Sequence, residues 1–246
     1  MILFRPRIAA VVLAFGLGVA GLSPIPAMAQ TDQAAFDLAV RGFSAGSLRF
    51  SATQKGAGYA VSGRLESGGL VGMLRKIRYD ASARGSLSKG RYVPSAYTEQ
   101  ADTGKRQSAA TMEYKRGVPQ VKAYDPPREP QPGDVDPATM RGSVDPLTAL
   151  YATLRDVDAG QECTVSWQMF DGRRSTQLRL SRPQANGDTV VCAGEYRRLA
   201  GYSADEMAEK TRFPFTLTYA PAGDGRMRVV EVAMDSLYGK ATLKRR

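Results

Sequence analysis

The sequence contains no histidine. Catalytic designs that move a proton through an imidazole, such as Ser-His-Asp and Cys-His arrangements, are therefore impossible, as is any metal site that needs a histidine ligand. This absence removes most hydrolase designs. The 24 acidic residues single out no carboxylate pair for glycoside cleavage. We expect a protein that is not an enzyme.

One acyl-enzyme motif survives this exclusion. Residues 86–89 read SLSK and match S-x-x-K of penicillin-binding proteins, in which the lysine accepts the serine proton. That motif requires the serine at a helix start, together with S-D-N and K-T-G elements. Here it lies between Gly85 and Gly90 in a predicted turn, without those elements. We predict no catalytic residue, no cofactor and no metal.

Long apolar runs are scarce too, and the longest, residues 8–22, stands near the N-terminus. It follows Arg5 and Arg7 and precedes a helix-breaking stretch at 23–26, which is typical of a secretory signal peptide. An uncleaved membrane anchor is the alternative, but a bilayer span needs roughly 20 apolar residues. Glycines 16, 18 and 21 match a dinucleotide-binding fingerprint, which requires a βαβ unit that this segment cannot form.

The cleavage site follows from the small residues after this run. Ala27 and Ala29 occupy the −3 and −1 positions of an A-x-A-like site, so we expect cleavage between Ala29 and Gln30. Residues 1–29 are predicted to be the signal peptide. Residues 30–246 are predicted to form one β-rich domain in the periplasm, not an integral membrane protein.

Positive charge exceeds negative charge after processing. Loss of the two arginines in the signal peptide leaves 32 Lys and Arg against 24 Asp and Glu, or about +8. Outside a cytoplasm such a surplus attracts anionic envelope surfaces, and nucleic acid is not expected as a partner. The alternative is that these cations are solvated on outer strand faces. Lys244, Arg245 and Arg246 form the densest cluster.

The two cysteines, Cys163 and Cys192, indicate a disulfide, because an even count in an exported chain is typical of a bridge. The alternative is a redox pair. Catalytic dithiols usually form C-x-x-C at a helix N-terminus, and these cysteines lie nearly thirty residues apart on predicted strands. The pattern favours a structural bridge.

Short alternating segments punctuated by glycine dominate the rest, with the spacing expected of β-sandwiches and barrels. Strands are predicted at 38–40, 48–52, 59–65, 77–81, 92–97, 112–114, 118–124, 163–169, 176–180, around Val191 and Cys192, and at 213–219 and 230–234. Four prolines fall within 125–132, so this segment is predicted to be a linker or surface loop.

Two helices are predicted. Asp145 can cap the first, and Pro146 suits its first position. Apolar residues then fall at i, i+3, i+4 and i+7 and form one face: Leu147, Leu150, Tyr151 and Leu154. That face is expected to pack in the core of its own domain, with a partner-binding face as the alternative. A capping box of Ser203 and Glu206 opens a second helix to about Arg212.

Several of these segments resemble the exported proteobacterial family called domain of unknown function 3108 (DUF3108). They are residues 145–151 (DPLTALY), 170–174 (FDGRR), 192–196 (CAGEY) and 200–202 (AGY). The resemblance implies a mostly β fold, a single antiparallel barrel that is unclosed or spiral, with one or two short helices. It is similar in kind to the envelope-integrity and lipoprotein-carrier proteins of Gram-negative bacteria, and it implies no enzyme activity.

Two functions agree with these expectations. We favour a cell-envelope maintenance scaffold or interaction protein, which binds an envelope protein or surface through an edge strand or its basic surface. The alternative is a carrier that holds an apolar ligand in the concave face of an open barrel. Its ligand-lining candidates are Leu150, Tyr151, Trp167, Met169 and Phe215, which could equally fill the core. A carrier should contain an apolar cavity of several hundred Å³, and a scaffold should have a filled core.

Overall fold

The computed structural model describes residues 30–246. The predicted signal peptide, including Ala29 of the cleavage site, lies outside the described residues. Within them, the strands are β1 (Gln30–Val40), β2 (Phe43–Lys55), β3 (Gly58–Ser67), β4 (Arg78–Ser88), β5 (Arg91–Asp102), β6 (Gln107–Lys115), β7 (Val118–Asp125), β8 (Val157–Asp158), β9 (Ser166–Phe170), β10 (Ser175–Asn186), β11 (Thr189–Ala200), β12 (Arg212–Pro221), β13 (Arg226–Ser236) and β14 (Gly239–Arg245). The helices are α1 (Gly69–Leu74), α2 (Pro146–Leu154) and α3 (Ala204–Glu209).

All these strands belong to one antiparallel sheet. Its order is β7-β6-β5-β4-β3-β2-β1-β14-β13-β12-β11-β10-β9, with β8 paired to β13. Each strand from β1 to β7 pairs with the next along the chain, and so does each from β9 to β14. The pairing of β1 with β14, from Phe36 opposite Arg245 to Val40 opposite Ala241, joins the two series at the centre. The sheet therefore has two free edges, β7 and β9.

The seam between these edges is bridged by the chain between β7 and α2. The Val144 N–H donates to the Gln168 carbonyl (2.9 Å), and the Phe170 N–H donates to the Val144 carbonyl (2.9 Å) on β9. The Gly142 N–H donates to Gly117 (2.8 Å) in the β6–β7 turn. The result is a nearly closed antiparallel barrel with one seam, which confirms the predicted mostly β, unclosed barrel.

Helix α2 lies inside the barrel and contacts β3, β4, β5 and β9. The Asp145 carboxylate caps it, accepting from the Thr148 N–H (2.7 Å), and Pro146 occupies its first turn, as predicted. Leu147, Tyr151 and Leu154 of the predicted apolar face are buried in the core, as expected, and Leu150 is half-buried. Seven of its nine residues are buried, including Thr148 and Thr153, whose hydroxyls hydrogen-bond to Asp145 and to the Ala149 carbonyl. The sheet wraps around the helix, so its polar side is also removed from water.

The disulfide between Cys163 and Cys192 is confirmed, with 5.4 Å between their Cα atoms. It joins β11 to the segment before β9. The predicted strand at 163–169 begins only at Ser166, because Cys163 has a positive φ of 61°, which is incompatible with an extended strand.

Other differences concern element ends and short elements. Helix α3 has the predicted capping box but stops at Glu209, before Arg212 pairs with Arg197 in the sheet. Residues 86–88 continue β4 rather than forming a turn. Helix α1 and strand β14 were not predicted. The segment 125–132 is a loop apart from Asp125, which ends β7.

Candidate functional site: an apolar cavity beside α2

A cavity of about 300 Å³ remains between α2 and the sheet from β9 to β14. Its lining is almost entirely apolar, and α2 contributes one wall. The lining residues are Pro146, Leu150, Thr153, Leu154, Met169, Asp171, Thr176, Leu178, Tyr196, Phe215, Leu217, Val232, Met234 and Leu243. A half-open apolar space with few polar groups is typical of a small-ligand site.

The alternation of side chains along the strands explains which residues of the sheet line the cavity. Phe215 and Leu217 point inward from β12, with exposed Pro214 and Thr216 on the opposite face. Opposite Phe215 on β11 stands Gly194, where a Cβ atom would lie 2.3 Å from the phenyl ring. The absence of a side chain at Gly194 therefore lets the ring lie flat against the strand.

Three of the five predicted ligand-lining residues meet at this cavity: Leu150, Met169 and Phe215. The other two lie on the opposite side of α2. Tyr151 is buried among aromatic rings, with Phe50 at 5.7 Å and Tyr92 at 5.8 Å between centroids. Trp167 packs edge-on against Tyr92 at 6.0 Å. Alternation identifies inward residues but does not say which side of an internal helix they face.

Thr153, Asp171 and Tyr196 at the cavity already have hydrogen-bond partners. Asp171 accepts hydrogen bonds from the Arg173 N–H (2.9 Å) and the Arg174 N–H (2.7 Å) in the β9–β10 turn. The Tyr196 hydroxyl lies 3.4 Å from the Tyr202 hydroxyl. With no acid and base aimed at one point, the arrangement suits binding better than bond cleavage.

A cluster of cations and aromatic rings flanks the cavity at α3. Tyr196 packs against Phe213, and the guanidinium groups of Arg174 and Arg198 lie 4.8 Å and 5.0 Å from the centre of the Tyr202 ring. Arg174 also pairs with Glu206 of α3 at 3.0 Å. Burial and the neighbouring Tyr196 hydroxyl raise the pKa of Tyr202 far above its usual range. These contacts fix the segment between β11 and β12 beside the cavity.

Two acids with raised pKa values lie elsewhere, the buried Asp145 and the half-buried Glu99. Asp145 is fully buried, and burial raises its pKa to about 6, against the hydrogen bonds from Thr148. Glu99 accepts from the Tyr97 hydroxyl at 2.6 Å, and burial raises its pKa as well. Asp145 is engaged as a helix cap and Glu99 as an acceptor. Neither lines the cavity.

A charged cluster fixes the chain after α2 to the C-terminal strands. Asp156 pairs with Arg228 at 2.7 Å and Arg245 at 2.9 Å. Burial alone would raise the pKa of Asp156, but the two guanidinium groups hold it below its usual range. Since Arg246 pairs with Asp37 and Lys244 with Glu231, the cations at the C-terminus do not form a free basic patch.

Larger hollows of about 710 and 610 Å³ lie on the outer face of β1 to β6. Serine, threonine and charged side chains form much of their lining, including Ser51, Ser62, Ser82 and Thr98. Their lining is more polar than that of the cavity beside α2. In residues 30–246, no three His, Cys, Asp or Glu side chains group as a metal site would.

The family model described as "Protein of unknown function (DUF3108)" matches residues 35–236. The chain belongs to the DUF3108 family. This confirms the resemblance carried by residues 145–202. No curated protein matches the sequence.

A solved structure extends the likeness of this DUF3108 chain to its fold. A beta-barrel-like protein of domain of unknown function DUF1849 from Brucella abortus aligns with a TM-score of 0.52 and 12% identity. The alignment covers 88% of this chain and 95% of that chain. No helix in the described part of this DUF3108 protein is long and apolar enough to span a membrane.

Most of the cavity wall was not identified from the sequence. Leu178, Leu217, Val232, Met234 and Leu243 line it, and alternation places the first four on inward faces. Nothing in that pattern shows that α2 leaves this part of the interior uncovered. Whether these inward residues pack in the core or line a cavity depends on the position of α2.

Proposed function

We propose that the protein is a non-enzymatic envelope protein that binds an apolar ligand, such as part of an acyl chain, in the cavity beside α2. The observation that carries the proposal is the volume of about 300 Å³ with an almost wholly apolar lining. This volume is at the lower end of the range for small-molecule sites, so a slender ligand suits it. The carrier alternative is therefore preferred to a scaffold with a filled core.

Partial exposure of the wall supports access from solvent. Leu150, Leu178 and Met234 are half-buried although they line the cavity. A ligand that covers them removes apolar surface from water, which favours binding at about 25 cal/mol per Å². Export from the cytoplasm, which the signal peptide predicts, is part of this proposal.

The test is to fill the cavity and measure binding of a fluorescent fatty acid. Val232→Phe adds a ring inside the cavity. Val191→Phe is the matched control. Val190 and Cys192 face the interior of the barrel, so Val191, which lies between them on β11, faces outward. We expect Val232→Phe to weaken binding by about tenfold or more, equivalent to about 1.4 kcal/mol, and Val191→Phe to bind like the parent protein.

Circular dichroism and thermal unfolding establish that both variants are folded. Equal binding by folded Val232→Phe and by the parent protein would contradict the proposal, as would the absence of binding by the parent protein. Hydrolysis of an ester, peptide or glycan with saturation kinetics would contradict the non-enzymatic part.

A further inference from the structure

Three connections come together at one end of the barrel. They are the β1–β2 turn (residues 41–43), the segment around α1 (residues 68–77) and the β13–β14 turn (residues 237–239). The Arg41 N–H donates to the Lys240 carbonyl (2.8 Å), and Arg41 Nε donates to the Tyr238 carbonyl (2.7 Å). The Gly68 N–H donates to the Ala45 carbonyl (2.9 Å) at the start of β2. The three segments therefore form one continuous surface.

This surface carries an unusual concentration of exposed apolar side chains. Leu74 is 90% exposed, Met73 76%, Tyr238 75% and Phe43 61%, and Leu237 is exposed as well. We call these five residues the apolar rim. In the part of the chain that the structure describes, Val93 is the one other large hydrophobic residue so exposed, and it lies near the β4–β5 turn at the opposite end. Clustering of this kind marks an interaction surface, whereas scattered exposed residues do not.

The charges beside the apolar rim are mostly positive. Segments 41–43, 68–77 and 237–240 contain Arg41, Arg75, Lys76 and Lys240 and no acidic residue. The nearest acids in sequence are Glu66, which pairs with Arg49, and Asp235, which lies opposite Lys240 in the β13–β14 register. A partner that accepts apolar tips and carries negative charge therefore fits this surface.

An anionic lipid bilayer meets both conditions. Apolar and aromatic side chains bordered by Lys and Arg are typical of surfaces that insert into the headgroup region of a membrane. The centres of protein–protein interfaces, by contrast, are depleted in lysine and well packed, and these side chains project separately from turns. We infer that the apolar rim docks the protein on the surface of an anionic membrane.

Docking at this end would also bring the cavity close to lipid. The lining residue Met234 lies two residues before Ser236, the last residue of β13, at the turn that carries Leu237 and Tyr238. The inference goes beyond the proposed function and does not depend on it, because the rim could hold the protein at a membrane whether or not the cavity is occupied.

The experiment measures flotation of the whole mature chain with vesicles of phosphatidylglycerol and phosphatidylcholine, and with vesicles of phosphatidylcholine alone. We expect binding to the anionic vesicles at low salt that weakens at 0.15 M, where the screening length is about 8 Å. Absence of binding to anionic vesicles at low salt would overturn the inference.

Rim variants locate the contact. The double variant Met73→Ser, Leu74→Ser should lower vesicle partitioning by about tenfold or more. The charge variant Arg75→Glu, Lys76→Glu should lower it by at least about tenfold at low salt. All four side chains are exposed, so folding should be retained, which circular dichroism verifies.

Matched control variants change the same kinds of side chain at the opposite end of the barrel. Val93→Ser removes an exposed apolar side chain, and Lys55→Glu reverses an exposed charge beside the β2–β3 turn. Both should bind vesicles like the parent protein. Equal losses in the controls and the rim variants, or no loss in the rim variants, would contradict the inference. Val232→Phe should bind vesicles like the parent protein, because it changes the cavity and not the apolar rim. The experiments therefore distinguish failure of the cavity proposal from failure of membrane docking.

Discussion

At the scale of single residues, Asp145 shows how one side chain acts in both folding and electrostatics. It is fully buried, caps α2 through the Thr148 N–H, and accepts from the Thr148 hydroxyl at 2.7 Å. The Tyr59 hydroxyl lies 2.8 Å from the same threonine oxygen. This chain of hydrogen bonds attaches the start of the helix to β3.

The raised pKa of Asp145 predicts a pH dependence of stability. Its ordinary value is 3.8 and the folded value is about 6, so the folded state binds more protons between these values. Stability from this group is therefore greatest below about pH 4 and is lost as the pH rises towards 6. The full loss corresponds to about 3 kcal/mol, given 1.36 kcal/mol per pH unit.

Urea unfolding of the parent protein and of Asp145→Asn from pH 4 to pH 7 measures this effect. The asparagine keeps an acceptor for the Thr148 N–H but does not titrate, so the parent protein should lose stability relative to the variant as the pH rises. Asp145→Ala should be less stable than Asp145→Asn at every pH by about 1 kcal/mol or more, because it removes the cap. A stability difference between parent and Asp145→Asn that stays constant with pH would show that Asp145 does not titrate in this range.

At the scale of elements, α2 has two leucines in different surroundings. Leu147 is buried against β3, where a Cβ atom on Gly63 would lie 2.7 Å from its Cδ1 atom. Leu150 is half-buried and lines the cavity. The same substitution should therefore have different effects at the two positions.

We expect Leu147→Ala to cost about 2 to 5 kcal/mol of unfolding free energy, the usual range for a buried leucine. Leu150→Ala should cost clearly less, because its side chain already borders an open space, but it should change the affinity for a fluorescent fatty acid. Chemical unfolding and ligand titration of both variants provide the comparison. A larger loss of stability for Leu150→Ala, with unchanged affinity, would assign Leu150 to core packing.

The disulfide is the other element-scale restraint. Because Cys163 precedes β9 and Cys192 lies on β11, the bridge spans β10 and holds three strands in register. Thiol labelling of denatured, unreduced protein should find no free cysteine. Cys163→Ser should lower the unfolding free energy by about 2 to 5 kcal/mol, as is usual for loss of a native disulfide. Complete labelling before reduction would refute the bridge in the exported protein.

At the scale of the whole molecule, contacts between residues far apart in sequence hold the barrel together. The first strand pairs with the last, and Arg245 on β14 reaches both the Asp156 carboxylate (2.9 Å) and the Gln33 carbonyl (3.1 Å) on β1. The Tyr151 hydroxyl of α2 donates to Asp32 on β1 at 2.7 Å. Strand β1 therefore contacts α2 and β14 through its first residues.

This position of β1 bears on processing. Gln30 pairs with Gln54 on β2, so cleavage after Ala29 would leave this pairing in the mature protein. Expression in a Gram-negative host should give periplasmic protein with Gln30 at its N-terminus. Edman degradation or intact-mass measurement provides the check. Recovery of the chain with Met1 from the membrane pellet would mean that the segment is retained as an anchor.

Much of the fold was predictable, because its signals are local. The caps of α2 and α3 and the alternation of β12 depend on neighbours in sequence. Helix α1 was missed because it has only six residues, two of them glycines, and Met73 and Leu74 are exposed, so the segment has no amphipathic pattern. Strand β14 was missed because it ends in Lys244 and Arg245, which indicated a basic tail although both are paired.

The candidate site was predictable only in part. Alternation and helical spacing identified Leu150, Met169 and Phe215, which line the cavity, together with Tyr151 and Trp167, which do not. All five residues point towards the interior of the barrel or lie on α2. No sequence signal shows where a cavity remains between α2 and the sheet.

The sequence by itself determined the β class, the disulfide, the capped helix and the absence of histidine chemistry, because each depends on residue type and short-range spacing. Only the tertiary structure decided where α2 lies inside the barrel, which inward residues face a cavity, and which cations lie beside the apolar rim. These properties depend on the pairing of β1 with β14 and on the packing of α2 against a sheet whose strands are distant in sequence. Such contacts are set by the shape of the whole barrel, and local patterns carry little information about them.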